Sequence, residues 1–225
     1  RMQSLEYDRS FLAARILLDK INANMIISGA FGLFEKKTVI AVGGYDSSTM
    51  GEDMELVVRL HEFSRMNRKP YKIDFAQDAI CWSQTPEKLS ELCKQRKRWQ
   101  RGLFQCMWGH RKMLANPRYG AVGLLSYLYF LLYELLSPFI ELLGVLTMVL
   151  SVVMDMLNVK FMLVFLACYA LYGILLTLTA YFSRIYTIDQ RLSFRELILA
   201  IIACFFETTF LRFYLAFVRV TAFVG

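Results

Sequence analysis

The sequence predicts an α/β portion over residues 1–118 followed by a membrane-spanning α-helical region of about three spans over 119–225. Three observations carry this. The 225 residues are 56% hydrophobic, with a mean hydropathy of +0.40, beyond the usual balance of a soluble domain. The whole formal charge of +7 resides in the first 120 residues; the rest carries equal numbers of bases and acids scattered through apolar runs. Helical and alternating apolar patterns mix in the first half, whereas the second is almost continuously apolar. Two halves with two solvents follow.

In chain order, Leu5, Phe11, Leu12, Ile16 and Leu17 fall at helical spacing and predict an amphipathic helix over 2–22. Residues 26–34 read as a buried strand and turn whose glycines permit close backbone approach. Gly43 and Gly44 close a short helical turn. Residues 52–66 predict a helix with Met54, Val57, Val58 and Leu60 on its apolar side, and the alternation over 71–82 predicts a strand. Pro86 suits the first turn of a long helix reaching about residue 114. Residues 121–153 exceed the roughly 20 needed to cross a bilayer core, as one kinked span or as an interfacial helix and a span; 161–182 and 197–217 are cleaner spans. The opening reads as a helix already in progress, so the chain is expected to be a piece of a longer protein.

Charge sets the expected orientation. The acid-free cluster Lys94, Arg96, Lys97, Arg98, Arg101, Arg111, Lys112 and Arg118 precedes the first apolar run, where positive charge collects on the cytoplasmic side. That position argues for lipid and against nucleic acid, which would want basic residues and stacking aromatics on a soluble fold. With Arg184, Arg191 and Arg195 in the 183–196 loop, residues 1–118 are expected in the cytosol of a multi-pass cell-membrane protein. Three spans would then leave the C-terminus outside, a poor setting for Arg212 and Arg219. Cys81, Cys93, Cys106, Cys168 and Cys204 lack a CxxC pair, which favours reduced, structural thiols. His61 and His110 sit among charges and read as solvated surface. Glu134, Glu141, Glu207 and Arg212 interrupt apolar runs, where ionisable groups are costly; pore lining and interhelical pairing both fit.

Two short signals carry chemistry. Gly51-Glu52-Asp53 puts paired carboxylates at the mouth of a helix, where free backbone N–H groups favour negative charge; alone, this is also an ordinary helix cap. Gln95, Arg98 and Trp99, at i, i+3 and i+4, share one helix face. Arg can pair with a diphosphate through two N–H groups, Trp offers a flat apolar face to a sugar ring, and Gln can bond hydroxyls; alone, they also fit an amphipathic helix with an interfacial Trp.

Taken in order, with a helix and a strand between them and an apolar bundle after them, the two signals resemble the membrane-embedded family 2 glycosyltransferases, the synthases of cellulose, chitin, hyaluronan and poly-N-acetylglucosamine. That family carries an acidic pair ending in Asp, then Gln-x-x-Arg-Trp, then transmembrane helices. Ser28-Gly29-Ala30 resembles its small-residue acceptor loop, and Gly43-Gly44-Tyr45 the turn before its acidic motif.

The resemblance implies the C-terminal part of a GT-A-type nucleotide-sugar transferase domain. Asp53 would be the base that deprotonates the acceptor hydroxyl during inverting transfer, and Glu52 would shape the site. Gln95 and Arg98 would hold the donor's diphosphate, Trp99 would floor the acceptor sugar, and Ser28 and Gly29 would line it. It also implies a nucleotide-sugar donor, a glycan or lipid-linked acceptor, membrane lipid contact and no nucleic acid. A divalent metal, Mg or Mn, is expected in the full-length enzyme, on an Asp-x-Asp upstream of this chain, so the fragment alone is expected to be inactive. Gly51 stands where Thr is usual, which is expected to free the loop. No Phe-x-Val-Thr-x-Lys sequence occurs in 183–196, against a regulated cellulose synthase. Export-coupled processive synthesis, single-sugar transfer to a lipid, and a non-enzymatic channel or assembly subunit are the readings to separate.

Overall fold

The computed structural model describes residues 15–76, 79, 81, 83–188, 195, 198–199, 201–202, 206 and 210–223. The first part of the helix expected over 2–22, several positions of 71–82 including Trp82, most of the 183–196 loop, Cys204 and Glu207 lie outside them. The described residues form two compact units: 15–137 with 218–223, and 138–217.

The first unit is built around α3 (Glu52–Met66), preceded by α1 (Ile16–Lys20) and α2 (Lys36–Ala41), and followed by α4 (Leu89–Gly109) and α5 (Val122–Leu135). The span of α3 is the one read from sequence. Its first turn holds Glu52, Asp53 and Glu55 and its last turn Arg65, each sign matched to the helix dipole. Its core contacts fall on two sides. Leu56, Val57 and Leu60 pack with Ile73, Ile27, Phe34 and Val39; Met54 and Val58 pack with Met25, Cys106, Met107, Met113 and Tyr127. Burial on two sides explains why His61 and Ser64, polar by type, are also inside.

α4 begins at Leu89, three residues after Pro86, and is followed by short 3-10 turns at Arg111–Met113 and Pro117–Tyr119. α5 runs through π-type turns at Val122–Ser126 and Phe130–Leu135. It stops at Leu136, where Pro138 enters the first turn of the next helix.

No strand occurs among the described residues, so the α/β expectation is not met for 26–34 or for the described part of 71–82. The alternation in the second stretch is nevertheless used. The amide N–H groups of Ile73 and Phe75, two residues apart on one edge, donate to Asn22 Oδ1 (2.9 Å) and Asp19 Oδ1 (2.7 Å), and Asn22 Nδ2 donates back to Tyr71 O (3.0 Å). Side chains beside α1 thus take the place of a neighbouring strand, satisfying the extended backbone without a ladder.

The second unit contains most of α6 (Ser137–Val153), α7 (Val159–Ile188) and the start of α8 (Arg212–Val220). Among the described residues no single helix is long and apolar enough to cross a membrane; the consecutive segments Val122–Leu135 and Ser137–Val153 reach that length and composition only together. Glu141 Oε1 accepts from Arg212 Nε (2.9 Å) and Nη2 (2.6 Å). For this pair, interhelical pairing is the arrangement found.

Residues 218–223 belong to the first unit. Arg219 Nε donates to Gln100 Oε1 (2.7 Å), Arg101 Nε to Ala222 O (2.5 Å), and Phe223 meets Phe104 edge-on. The chain therefore leaves this unit at Ser137 and returns to it at Val218. The expectation of three spans with the C-terminus outside is not confirmed by the described residues.

Candidate active site

The site is assembled where the start of α3 meets the middle of α4. Gly51 and Gly102 touch backbone to backbone: a Cβ on Gly102 would lie 2.7 Å from Gly51 N and 2.8 Å from its Cα. The loop ahead of α3 is gripped by the same face of α4, since Gln105 Oε1 accepts from Met50 N (2.9 Å) and the Thr49 hydroxyl meets it at 3.4 Å. At 100° per residue, Gly102 and Gln105 share their stripe with Arg98, one turn earlier, and with Gln95 and Trp99 beside it. The Gly51 position, expected to free the loop, instead permits helix and loop to dock; a threonine side chain would meet the Gly102 backbone at 3.2 Å.

Asp53 lies two residues past that contact, half-buried. Its Oδ2 accepts from Gly29 N (3.1 Å), presented by a turn closed by Phe31 N to Ser28 O (3.1 Å), and its Oδ1 accepts from Met54 N (2.8 Å). Each oxygen retains a lone pair for a hydroxyl donor. The small-residue loop and the acidic motif, 24 positions apart, are therefore in direct contact, and Ser28 is half-buried beside that contact. Glu52 is exposed next to Asp53. Arg98 is exposed and, among the described residues, has no carboxylate partner. Trp99 is partly exposed, with the Arg96 guanidinium 4.8 Å over its ring. Gln95 lines a shallow cleft of about 420 Å³ at the start of α4 with Gln84, Glu87 and Glu91. Asp53 lines neither this cleft nor a larger one at the far end of α3.

Several positioning residues escaped sequence reasoning. Arg59 donates to Val42 O (2.6 Å), Gly44 O (2.7 Å) and Glu55 Oε2 (2.7 Å), clamping the Gly43-Gly44 turn, whose φ values of +92° and +76° suit glycine. Gln100, next to Trp99 but on the opposite face of α4, is buried and bridges Arg219 to Leu135 O (3.1 Å). Gly102 did leave a signal, being a glycine inside a helix, where it costs about 1 kcal/mol unless close packing requires it.

Both histidines correct the surface expectation. His61 is fully buried; its Nε2–H donates to Asn24 O (2.7 Å), and its Nδ1 accepts from the Tyr71 hydroxyl (2.7 Å), which itself accepts from Arg65 Nε (3.0 Å). Burial chiefly, with the Arg65 charge, lowers His61 to about 4 despite the Asn24 bond. His110 sits between Glu62 (2.6 Å) and Glu55 (3.3 Å). Burial opposes its charge, yet the two carboxylates prevail and raise its pKa. Glu55 is the counterpart: burial would raise it, but His110 and Arg59 hold it below the ordinary value. Burial first, then the Glu55 and Asp53 charges, push the Cys106 thiol up to about 12, so it is an inert thiol behind the site. Among the described residues no three His, Cys, Asp or Glu side chains are grouped to hold a metal.

Compared with known families, residues 1–224 match the model of glycosyl transferase family group 2. Among curated proteins, the chain is 32% identical over 116 residues to the poly-beta-1,6-N-acetyl-D-glucosamine synthase of Staphylococcus aureus strain COL, and 31% to that of Staphylococcus epidermidis strain ATCC 35984. These stretches cover 52% of this chain and 25% of each relative. No solved structure gives a significant match.

Proposed function

The chain belongs to glycosyl transferase family group 2, and on that premise we propose that the whole protein transfers a sugar from a nucleoside-diphosphate donor to a growing polysaccharide, with Asp53 as the base. The observation that carries this is the docking of the Asp53 helix, at Gly51 and Gly102, onto the α4 face that bears Gln95, Arg98 and Trp99. The acceptor hydroxyl gives its proton to a free lone pair of Asp53 while its oxygen attacks the anomeric carbon from the side opposite the leaving group, so configuration inverts. The bond to the nucleoside diphosphate breaks, and the exposed Arg98 guanidinium, with Gln95, stabilises the charge that grows there. Trp99 supports the acceptor ring, and the Ser28–Gly29 turn both lines it and holds Asp53. The names of the poly-beta-1,6-N-acetyl-D-glucosamine synthases favour an N-acetylhexosamine donor and a polymeric product made processively; export coupling is proposed only together with the membrane placement of the second unit.

A divalent metal would neutralise the donor diphosphate. Among the described residues no three His, Cys, Asp or Glu side chains are grouped to hold it, and no step is assigned to it.

We further infer that the second unit lies in the cell membrane. Leu143, Leu163 and Phe161 are each more than half exposed, a surface suited to lipid rather than water. The hold of residues 218–223 on α4 supports an even number of complete crossings between the two ends, leaving both at the cytosolic face.

Asp53→Asn in the full-length protein tests the core of this reading. Sugar transfer is expected to fall by about 10² to 10⁴ with the thermal midpoint and donor binding preserved. Transfer within a fewfold of the parent would remove Asp53 from the role of base.

A further inference from the structure

We propose that the C-terminal end of α3 forms a second anion site, a cleft that binds a phosphate group through Arg65, Arg68, Lys69 and Arg118. The cleft has a volume of about 760 Å³, and none of its lining residues is acidic. Twelve residues of helix separate Arg65 from Asp53, about 18 Å at 1.5 Å per residue, so this is not the donor diphosphate site.

Three of the four cations follow one another at the end of a helix, where the dipole alone would favour them. The fourth is what the dipole does not explain. Arg118 comes from the Pro117–Tyr119 turn, some fifty positions later, and adds a like charge to an already basic cleft. Acids elsewhere on the helix are committed: Glu62 to His110 (2.6 Å) and Glu55 to Arg59 (2.7 Å). Among the described residues neither Arg68 nor Arg118 has a carboxylate partner, and both are exposed. Four cations gathered without an acid repel one another, and a bound anion would relieve that repulsion.

The cleft is also built. Arg65 is fixed by its Nε–H to the Tyr71 hydroxyl (3.0 Å), with its guanidinium 5.4 Å from the Tyr71 ring centre, so its two terminal nitrogens are the ones left to face a ligand. Gly120, at φ +61°, leaves that guanidinium its room, since a Cβ there would come within 3.2 Å of Arg65 Cζ. Arg68 is itself held at φ +51°, in the turn that ends α3 through Lys69 N to Ser64 O (2.9 Å). Arginine at a left-handed position is strained relative to glycine. The chemistry recognised is a phosphate mono- or diester, borne either by a soluble metabolite or by a lipid headgroup; Arg118 lies just ahead of the apolar α5.

The test uses the full-length protein in neutral detergent, the double variant Arg68→Gln/Arg118→Gln, and a charge-matched control, Lys36→Gln/Lys37→Gln, at exposed positions outside the cleft. Binding of sn-glycerol 3-phosphate in solution, and of phosphatidylglycerol in mixed micelles, is titrated for each. Two lost charge-assisted bonds are expected to weaken at least one probe roughly tenfold in the cleft variant and to leave it unchanged in the control. Loss confined to the soluble probe identifies a free phosphate, and loss confined to the micelle identifies a lipid headgroup. Equal loss in both variants, or loss in neither, overturns the site.

Discussion

The two units use apolar residues in opposite ways. In the first, Leu56, Val57, Val58 and Met113 are completely enclosed, and polar groups that enter the core find partners: His61 with Tyr71 and Asn24, Ser126 with Ala23 O (2.6 Å), Gln100 with Arg219. In the second, leucines of the same hydrophobicity stand outward, Leu143 at 59% and Leu163 at 57% exposure, while Arg212 and Glu141 pair with each other. Water explains the first pattern. On the proposed membrane reading, a hydrocarbon solvent would account for the second, because there apolar surface has no cost and an ion pair finds its partner within the protein. Composition alone cannot distinguish these uses; the direction of the side chains can.

The comparison breaks most sharply at paired leucines. Leu56→Ala should cost about 3 kcal/mol, the lost transfer energy plus a cavity between well-packed neighbours. Leu143→Ala, in the detergent-solubilised protein, should shift stability by no more than about 0.5 kcal/mol. Denaturation midpoints of the two variants read the difference. Equal losses would mean that the second unit has an ordinary buried core, and the membrane assignment would fail with it.

An effect of similar size comes from acid. His61 is held neutral in the first unit, with a pKa lowered to about 4 from 6.5. Its contribution to stability is complete above pH 6.5 and declines as pH falls toward 4, since the unfolded chain takes up the proton first. Over that window the loss is about 3 kcal/mol. His110, with its pKa raised between Glu55 and Glu62, acts in the other sense: its contribution is complete below pH 6.5 and is lost as pH rises through its folded value. A stability profile from pH 4 to 8 should therefore show an acid limb that His61→Gln flattens. A limb of unchanged slope in that variant would place its origin elsewhere.

How far the sequence could be read follows from the range of the interactions involved. α3 was legible to the residue because capping acids, period and length are local. The shared face of Gln95, Arg98 and Trp99 was legible because helix geometry fixes it. The resemblance assigned Gly29 and Asp53 to one acceptor site, but their hydrogen bond was not legible, as no local rule joins positions 24 apart. The expected strands are not found among the described residues, because alternation reports an extended edge and not its partner: Asn22 and Asp19 side chains supply the bonds a ladder would. The histidines are inside against expectation because α3 is covered on two sides, which charges nearby in sequence do not reveal. The return of Arg219 to Gln100, 119 positions away, left no sequence signal beyond its poor fit to the expected topology.

A smaller stability change than those at Leu56 and His61 is expected closest to the chemistry. Gly102→Ala places a methyl 2.7 to 3.0 Å from the backbone of Met50 and Gly51, contacts that no flexible side chain can relieve. Helix and loop must part by several tenths of an ångström, at a cost of about 2 kcal/mol from overpacking, partly offset by the better helix propensity of alanine. The displacement falls between Asp53 and the Arg98–Trp99 turn, so sugar transfer should drop far more than stability does, by about 10². Donor binding should change little, because the residues that hold the diphosphate remain together on α4. Gly109→Ala is the matched control: it adds a methyl to the same helix where nothing lies within 4 Å, and it should leave transfer intact. If both variants transfer sugar at the parental rate, the Gly51–Gly102 contact is packing alone and does not set the distance between the base and the donor-binding face.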